Sequence, residues 1–166
     1  YRDKLIFVHG KEKRSGVAGF KAMNMTLQNA GGECLRLRYF VTGAEIAYNT
    51  IRNCGVYDFV FNNDGKNGEG IYIGTSNKQW NDGKNPTSDP DETRDNHIHH
   101  NEIDTQGNEC VDLKEGATAN LIEYNNCRGQ KDPVAPDNRR RIPLPGRLHL
   151  PEDPLRVPPP VRVAAA

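Results

Sequence analysis

Gly32-Glu33-Cys34-Leu35-Arg36-Leu37 returns along this chain as Gly68-Glu69-Gly70-Ile71-Tyr72-Ile73 and again as Asn108-Glu109-Cys110-Val111-Asp112-Leu113. A second phrase, Ile46-x-x-Asn49-x-Ile51, returns as Ile98-x-x-Asn101-x-Ile103 and as Ile122-x-x-Asn125-x-Cys127. Glu33 to Asn49 and Glu109 to Asn125 both span 16 residues, and Asn101 to Glu109 spans 8, so the unit repeats every 24 residues. Ala22-x-x-Met25-x-Leu27-x-Asn29-Ala30-Gly31 matches Ile46-x-x-Asn49-x-Ile51-x-Asn53-Cys54-Gly55 at the same offset of 24, which adds an earlier turn with Met25 in the Asn position. Two intervals are longer, by 12 residues between Asn49 and Glu69 and by 16 between Glu69 and Asn101. Two markers recurring in fixed order are the signature of a solenoid with two insertions.

A period of this length suits a leucine-rich repeat or a parallel β-helix, and side-chain chemistry separates them. A leucine-rich repeat needs a helical return segment in a Leu-rich frame, whereas Leu35/Leu37, Ile71/Ile73 and Val111/Leu113 alternate with polar residues at a period of two. The expected fold is therefore all-β: a right-handed parallel β-helix of about four turns over residues 1–130. Parallel stacking places like positions above one another at about 4.8 Å, so Asn49, Asn101 and Asn125 are expected to hydrogen-bond as a structural ladder.

The remaining residues, 131–166, differ in kind. They hold nine of the eleven prolines, together with Arg139-Arg140-Arg141, Pro158-Pro159-Pro160 and three terminal alanines, and carry no repeat marker. A disordered or polyproline-like tail is expected there. A solenoid that stops near Gln130 leaves its last turn uncapped, so the domain reads as part of a longer protein. The formal net charge of zero carries no nucleic-acid footprint, and no apolar run reaches membrane-spanning length. Cys34 and Cys110 share a repeat position, with Cys54 and Cys127 following by 20 and 17 residues. Two bridges within single turns are compatible with that spacing, as are the other pairings and four buried thiols. Asn24-Met25-Thr26 has the form of an N-glycosylation acceptor.

Residues 33–130 resemble right-handed β-helix proteins of the pectate-lyase-like superfamily, on Ala44-Glu45-Ile46-Ala47-Tyr48-Asn49-Thr50-Ile51, Gly68-Glu69-Gly70-Ile71-Tyr72-Ile73-Gly74-Thr75 and Glu109-Cys110-Val111-Asp112-Leu113-Lys114-Glu115-Gly116. More locally, Glu109-Cys110-Val111-Asp112-Leu113-Lys114 is similar to the Glu-x-x-x-x-Lys strand of polysaccharide lyase family six. That resemblance implies that Glu109 is a calcium ligand and Lys114 a general base for β-elimination at a uronic acid, with Asn101 as a further oxygen ligand. The family pattern also wants a carboxylate two residues before the Glu, where this chain has Gly107, and an Arg roughly 20 residues after the Lys, an interval that here meets Pro133 and Pro136 before Arg139.

Trp80 lies in the longer insertion, and with Tyr72 it is the expected sugar-stacking platform. Ser88-Asp89-Pro90-Asp91-Glu92 is acidic but lacks an ordered calcium-loop pattern, and reads as an exposed polar turn. Alternation about Ile98 sends His97 and His99 to the outer face beside His100, with no third metal ligand fixed next to them by sequence. The functional expectation is an extracellular, polysaccharide-engaging β-helix with an acidic polymer as partner and Ca²⁺ as cofactor, acting as a lyase or epimerase. A non-catalytic carbohydrate-binding module and a structural or adhesive solenoid stay open beside it.

Overall fold

The computed structural model describes residues 2–61 and 67–131, so the Pro-rich tail from residue 132 onward lies outside the described residues. Twelve short strands follow one another: β1 Ile6–His9, β2 Lys21–Met23, β3 Thr26–Gln28, β4 Leu35–Arg38, β5 Glu45–Ala47, β6 Thr50–Arg52, β7 Ile71–Ile73, β8 His97–His99, β9 Glu102–Asp104, β10 Val111–Leu113, β11 Leu121–Glu123 and β12 Asn126–Arg128. They form three four-stranded sheets, ordered β1-β4-β7-β10, β2-β5-β8-β11 and β3-β6-β9-β12. Every pairing is parallel. Each coil contributes one strand to each sheet, and the whole is a parallel β-helix of four coils.

The strands are brief because each needs only one or two inward residues. In the second and third sheets the middle residue points in, building the columns Ala22-Ile46-Ile98-Ile122 and Leu27-Ile51-Ile103-Cys127. The first sheet turns two columns inward, Ile6-Leu35-Ile71-Val111 and Val8-Leu37-Ile73-Leu113, with Leu113 of the last coil still 38% exposed. Leu35, Leu37, Ile46, Ile51, Ile71, Ile73 and Ile98 are all fully buried, each contributing about 2 kcal/mol by removal from water.

Corners are turned by single left-handed residues at equivalent positions. Asn24, Tyr48, His100 and Tyr124 have φ of 57°, 58°, 53° and 53°, and Gly19, Gly43, Asp95 and Ala119 have 66°, 61°, 57° and 54°. Immediately after the first of these corners runs the Asn ladder. Asn49 Nδ2 donates to Asn101 Oδ1 at 2.9 Å, and Asn101 Nδ2 donates to Asn125 Oδ1 at 2.8 Å. Met25 has no amide to offer, and only its backbone N–H joins, donating to Asn49 Oδ1 at 3.0 Å. A second ladder follows the other corner, where Asn96 Nδ2 donates to Asn120 Oδ1 at 2.8 Å and Ala44 N donates to Asn96 Oδ1 at 2.8 Å.

Both insertions leave the coil between strands. The first follows β6 and begins with the helical turn α1, Val56–Phe59; the second follows β7 and holds a 3₁₀ turn at Asn77–Gln79. The cysteines pair as Cys34–Cys54 and Cys110–Cys127, each closing one coil on itself. Gly70 takes the same column in the third coil.

Candidate functional site

The outward face of the first sheet collects the charge. Phe7, Arg36, Tyr72 and Asp112 form one outward column through the register of β1, β4, β7 and β10. Glu33, Glu69 and Glu109 stand two residues before their strands, where the chain enters this sheet, and form the neighbouring column. The oxygens of Glu69, Glu109 and Asp112 lie within 4.8 Å of one another. Lys114 is ion-paired with Asp112, and the Tyr72 ring has Arg36 Cζ at 4.3 Å and Lys114 Nζ at 5.0 Å from its centroid.

Polar partners hold these groups in place. Glu33 accepts from Arg36 Nη1 at 3.2 Å and pairs with Lys4 Nζ at 2.9 Å. Glu69 accepts from the Gly68 N–H at 2.9 Å and from Asn108 Nδ2 at 3.2 Å. Burial is the main reason that the Glu69 carboxyl is pushed up to about 7, with the charges of Glu33 and Asp112 adding to it. Burial also raises the Asp112 carboxyl, although Lys114 opposes it. For Lys114 burial alone would lower the ammonium, but the hydrogen bond and charge of Asp112, with Tyr72 and Glu69, outweigh it and hold the group above its ordinary value. Lys114 is therefore a charged ammonium at neutral pH in this arrangement. Tyr72 is pushed up to about 12 by its burial and stays neutral.

The second insertion is rooted beside this face. Asp91, fully buried, accepts from the backbone N–H groups of Tyr39, Phe40 and Thr93 and from the hydroxyls of Thr75 and Thr93, at 2.7–3.1 Å. It works as a clamp for the insertion. Asn85 Oδ1 accepts from Arg38 Nε at 2.6 Å, and Trp80 Nε1 donates to the Thr75 carbonyl at 3.0 Å.

Of the residues singled out from sequence, Glu109 and Lys114 do meet on one face, joined through Asp112. Tyr72 lies in the same cluster but is buried, while Trp80 is only partly covered and anchored within its own loop. Asn101 stands at another corner of the coil, with its Oδ1 accepting both Asn49 N and Asn49 Nδ2 and its Nδ2 donating to Ile46 O, His99 O and Asn125 Oδ1. Its amide is occupied by the ladder. Glu69, Asp112 and Arg36 were not singled out. Strand alternation carries the signal for Asp112 and Arg36, since both occupy the outward position of Tyr72; Glu69 shares the repeat position of Glu109.

Fold and site together define a three-sheet parallel β-helix carrying a half-buried carboxylate cluster on its first sheet. No family model, curated protein or solved structure matches the chain.

Proposed function

We propose that this β-helix engages an acidic polysaccharide along the outward face of β1-β4-β7-β10, and acts on it as a uronic-acid lyase. The observation that carries this reading is the convergence of Glu69, Glu109 and Asp112 beside Lys114. Three carboxylates within 4.8 Å are a hard-oxygen donor set of the size that a calcium ion spans with ligands at about 2.3–2.6 Å. The raised Glu69 and Asp112 carboxyls fit the same reading, because a divalent cation would offset the desolvation of the charged form that raises them. Bound there, Ca²⁺ would neutralise the carboxylate of a uronic acid and so acidify its C5 proton.

Lys114 Nζ is the candidate base. To act it must first lose its own proton, which Asp112 now stabilises; it then takes the C5 proton as the C4–O bond breaks and C4=C5 forms, the departing oxygen being protonated by solvent. Asp112 and the Tyr72 ring hold the Lys114 side chain in position. The partly exposed Trp80 offers a ring for a neighbouring sugar. An extracellular setting is supported by the two disulfides and by the exposed Asn24 of the glycosylation triplet.

The second reading is a carbohydrate-binding or adhesive module without catalysis. It is favoured by the paired, raised Lys114 ammonium, and by Arg128, the described arginine that follows Lys114, being ion-paired with Asp104 at 3.3 Å. Incubation with alginate, pectate and chondroitin in calcium distinguishes them. Ultraviolet absorbance from unsaturated products, abolished by Lys114→Ala, is the lyase outcome; retention on a polymer affinity gel without absorbance is the module outcome. Neither signal with any polymer leaves the proposal without support.

A further inference from the structure

Away from the carboxylate cluster, the corner after β8 brings two imidazoles together with their planes at 87°. His99 Nδ1 and His100 Nδ1 are 2.8 Å apart. His99 is an outward residue of β8 that is nevertheless 93% covered, being 7% exposed, with Tyr48 edge-on at 5.5 Å and His97 at 4.0 Å between ring centroids. His100 occupies the left-handed corner column between Tyr48 and Tyr124, its ring 5.1 Å from each. His99 is held by packing, while His100 is exposed to solvent and stacked between the two tyrosines.

The far side of His99 is also assigned. Its Nε2 faces Glu45 Oε1 at 3.5 Å, and Glu45 is itself held by Lys21 Nζ at 2.8 Å. A carboxylate facing Nε2 favours the proton there, so that His99 Nδ1 is the acceptor of the hydrogen bond from His100 Nδ1–H. This is the outer-shell arrangement that orients a metal-binding imidazole. We infer that His99 Nδ1 and His100 Nδ1 form a two-nitrogen site for a divalent transition-metal ion, with water completing the coordination.

The 2.8 Å separation is that of the hydrogen bond between the two rings, and it is short enough for both nitrogens to reach one ion without moving the backbone. Two nitrogens each about 2.0 Å from an ion and at right angles to one another are about 2.8 Å apart, the adjacent positions of a tetragonal copper(II) or nickel(II) centre. A tetrahedral zinc ion would hold them about 3.3 Å apart. Copper(II) also forms the strongest complexes in the divalent series. Binding needs no change of net charge, since neutral His100 can carry its proton on Nε2 while Nδ1 ligates.

The test uses the full chain without a polyhistidine tag, titrated separately with copper(II), nickel(II) and zinc(II). The expected result is one equivalent of copper whose paramagnetic resonance spectrum shows two nitrogen ligands, with zinc binding more weakly. His100→Tyr removes a ligand yet keeps the ring column, because the same left-handed corner already carries Tyr48 and Tyr124; an unchanged melting temperature confirms that it folds. It is expected to weaken copper about tenfold or more and abolish the two-nitrogen signature, and Glu45→Gln to weaken it by about tenfold through the outer shell. Copper bound equally well by His100→Tyr, or a wild-type spectrum without paired nitrogens, would overturn the site.

Discussion

Glu69 shows how one side chain couples this fold to pH. Its carboxyl titrates at about 7 rather than 4.5, so the folded chain keeps a proton where the unfolded chain has lost it. The stability tied to that proton is fully present below pH 4.5 and is lost as pH rises toward 7. The loss amounts to about 3 kcal/mol. Urea unfolding from pH 4.5 to 7.5 is therefore expected to show a steeper fall for the wild type than for Glu69→Gln, which mimics the protonated form; parallel curves would remove Glu69 from the account. Asn101 makes a different case. Replacing it with Ala strands the Asn49 backbone N–H and takes one of two acceptors from Asn49 Nδ2, while Ile46 O loses its Asn101 donor and Asn125 Oδ1 keeps only the backbone N–H of residue 101. Loss of roughly 3–4 kcal/mol is expected, read as a lower urea midpoint with little change in slope.

At the scale of elements, the second insertion depends on one buried carboxylate. Asp91→Asn gives up acceptor capacity at a group taking hydrogen bonds from Tyr39, Phe40, Thr75 and Thr93. Proteolysis within residues 75–93 is expected to speed up well before global unfolding shifts, because the clamp holds the insertion and not the coil stack. The strand entry at Gly70 is equally sensitive. A Cβ there would lie 2.6 Å from the Cys110 carbonyl and 2.7 Å from Ile103 Cγ2, and both are parts of the stacked core with no room to retreat. Gly70→Ala is expected to lower stability by about 2 kcal/mol, measured by thermal unfolding.

For the whole molecule, the proposed cation should act on stability as well as chemistry. An ion that binds the folded chain at one hundred times its dissociation constant adds about 2.7 kcal/mol. Calcium is expected to raise the melting temperature of the wild type at pH 7.5 and not that of the Glu69→Gln, Glu109→Gln, Asp112→Asn triple variant. Equal shifts in both would place any calcium elsewhere. This measurement is independent of the polymer supplied, so it tests the cation site even if no substrate has been found.

The coil period, the parallel β-helix and the Asn ladder were legible in the chain because stacking repeats a local pattern: each position must suit its counterpart 24 residues away, and the sequence Ile98 to Cys127 carries that constraint in plain form. Lys114 and Glu109 were legible for a similar reason, being five residues apart on one strand entry. The partners that give them a chemical environment were not, because Arg36 and Glu69 come from other coils across insertions that break the period. The disulfide pairing was likewise left to tertiary structure, since spacing allowed several choices and only closure of a coil brings Cys34 to Cys54 and Cys110 to Cys127. Local alternation decides which way a side chain points, but burial and charge depend on what the neighbouring coil and the folded insertions lay against it, and that is a property of the assembled solenoid alone.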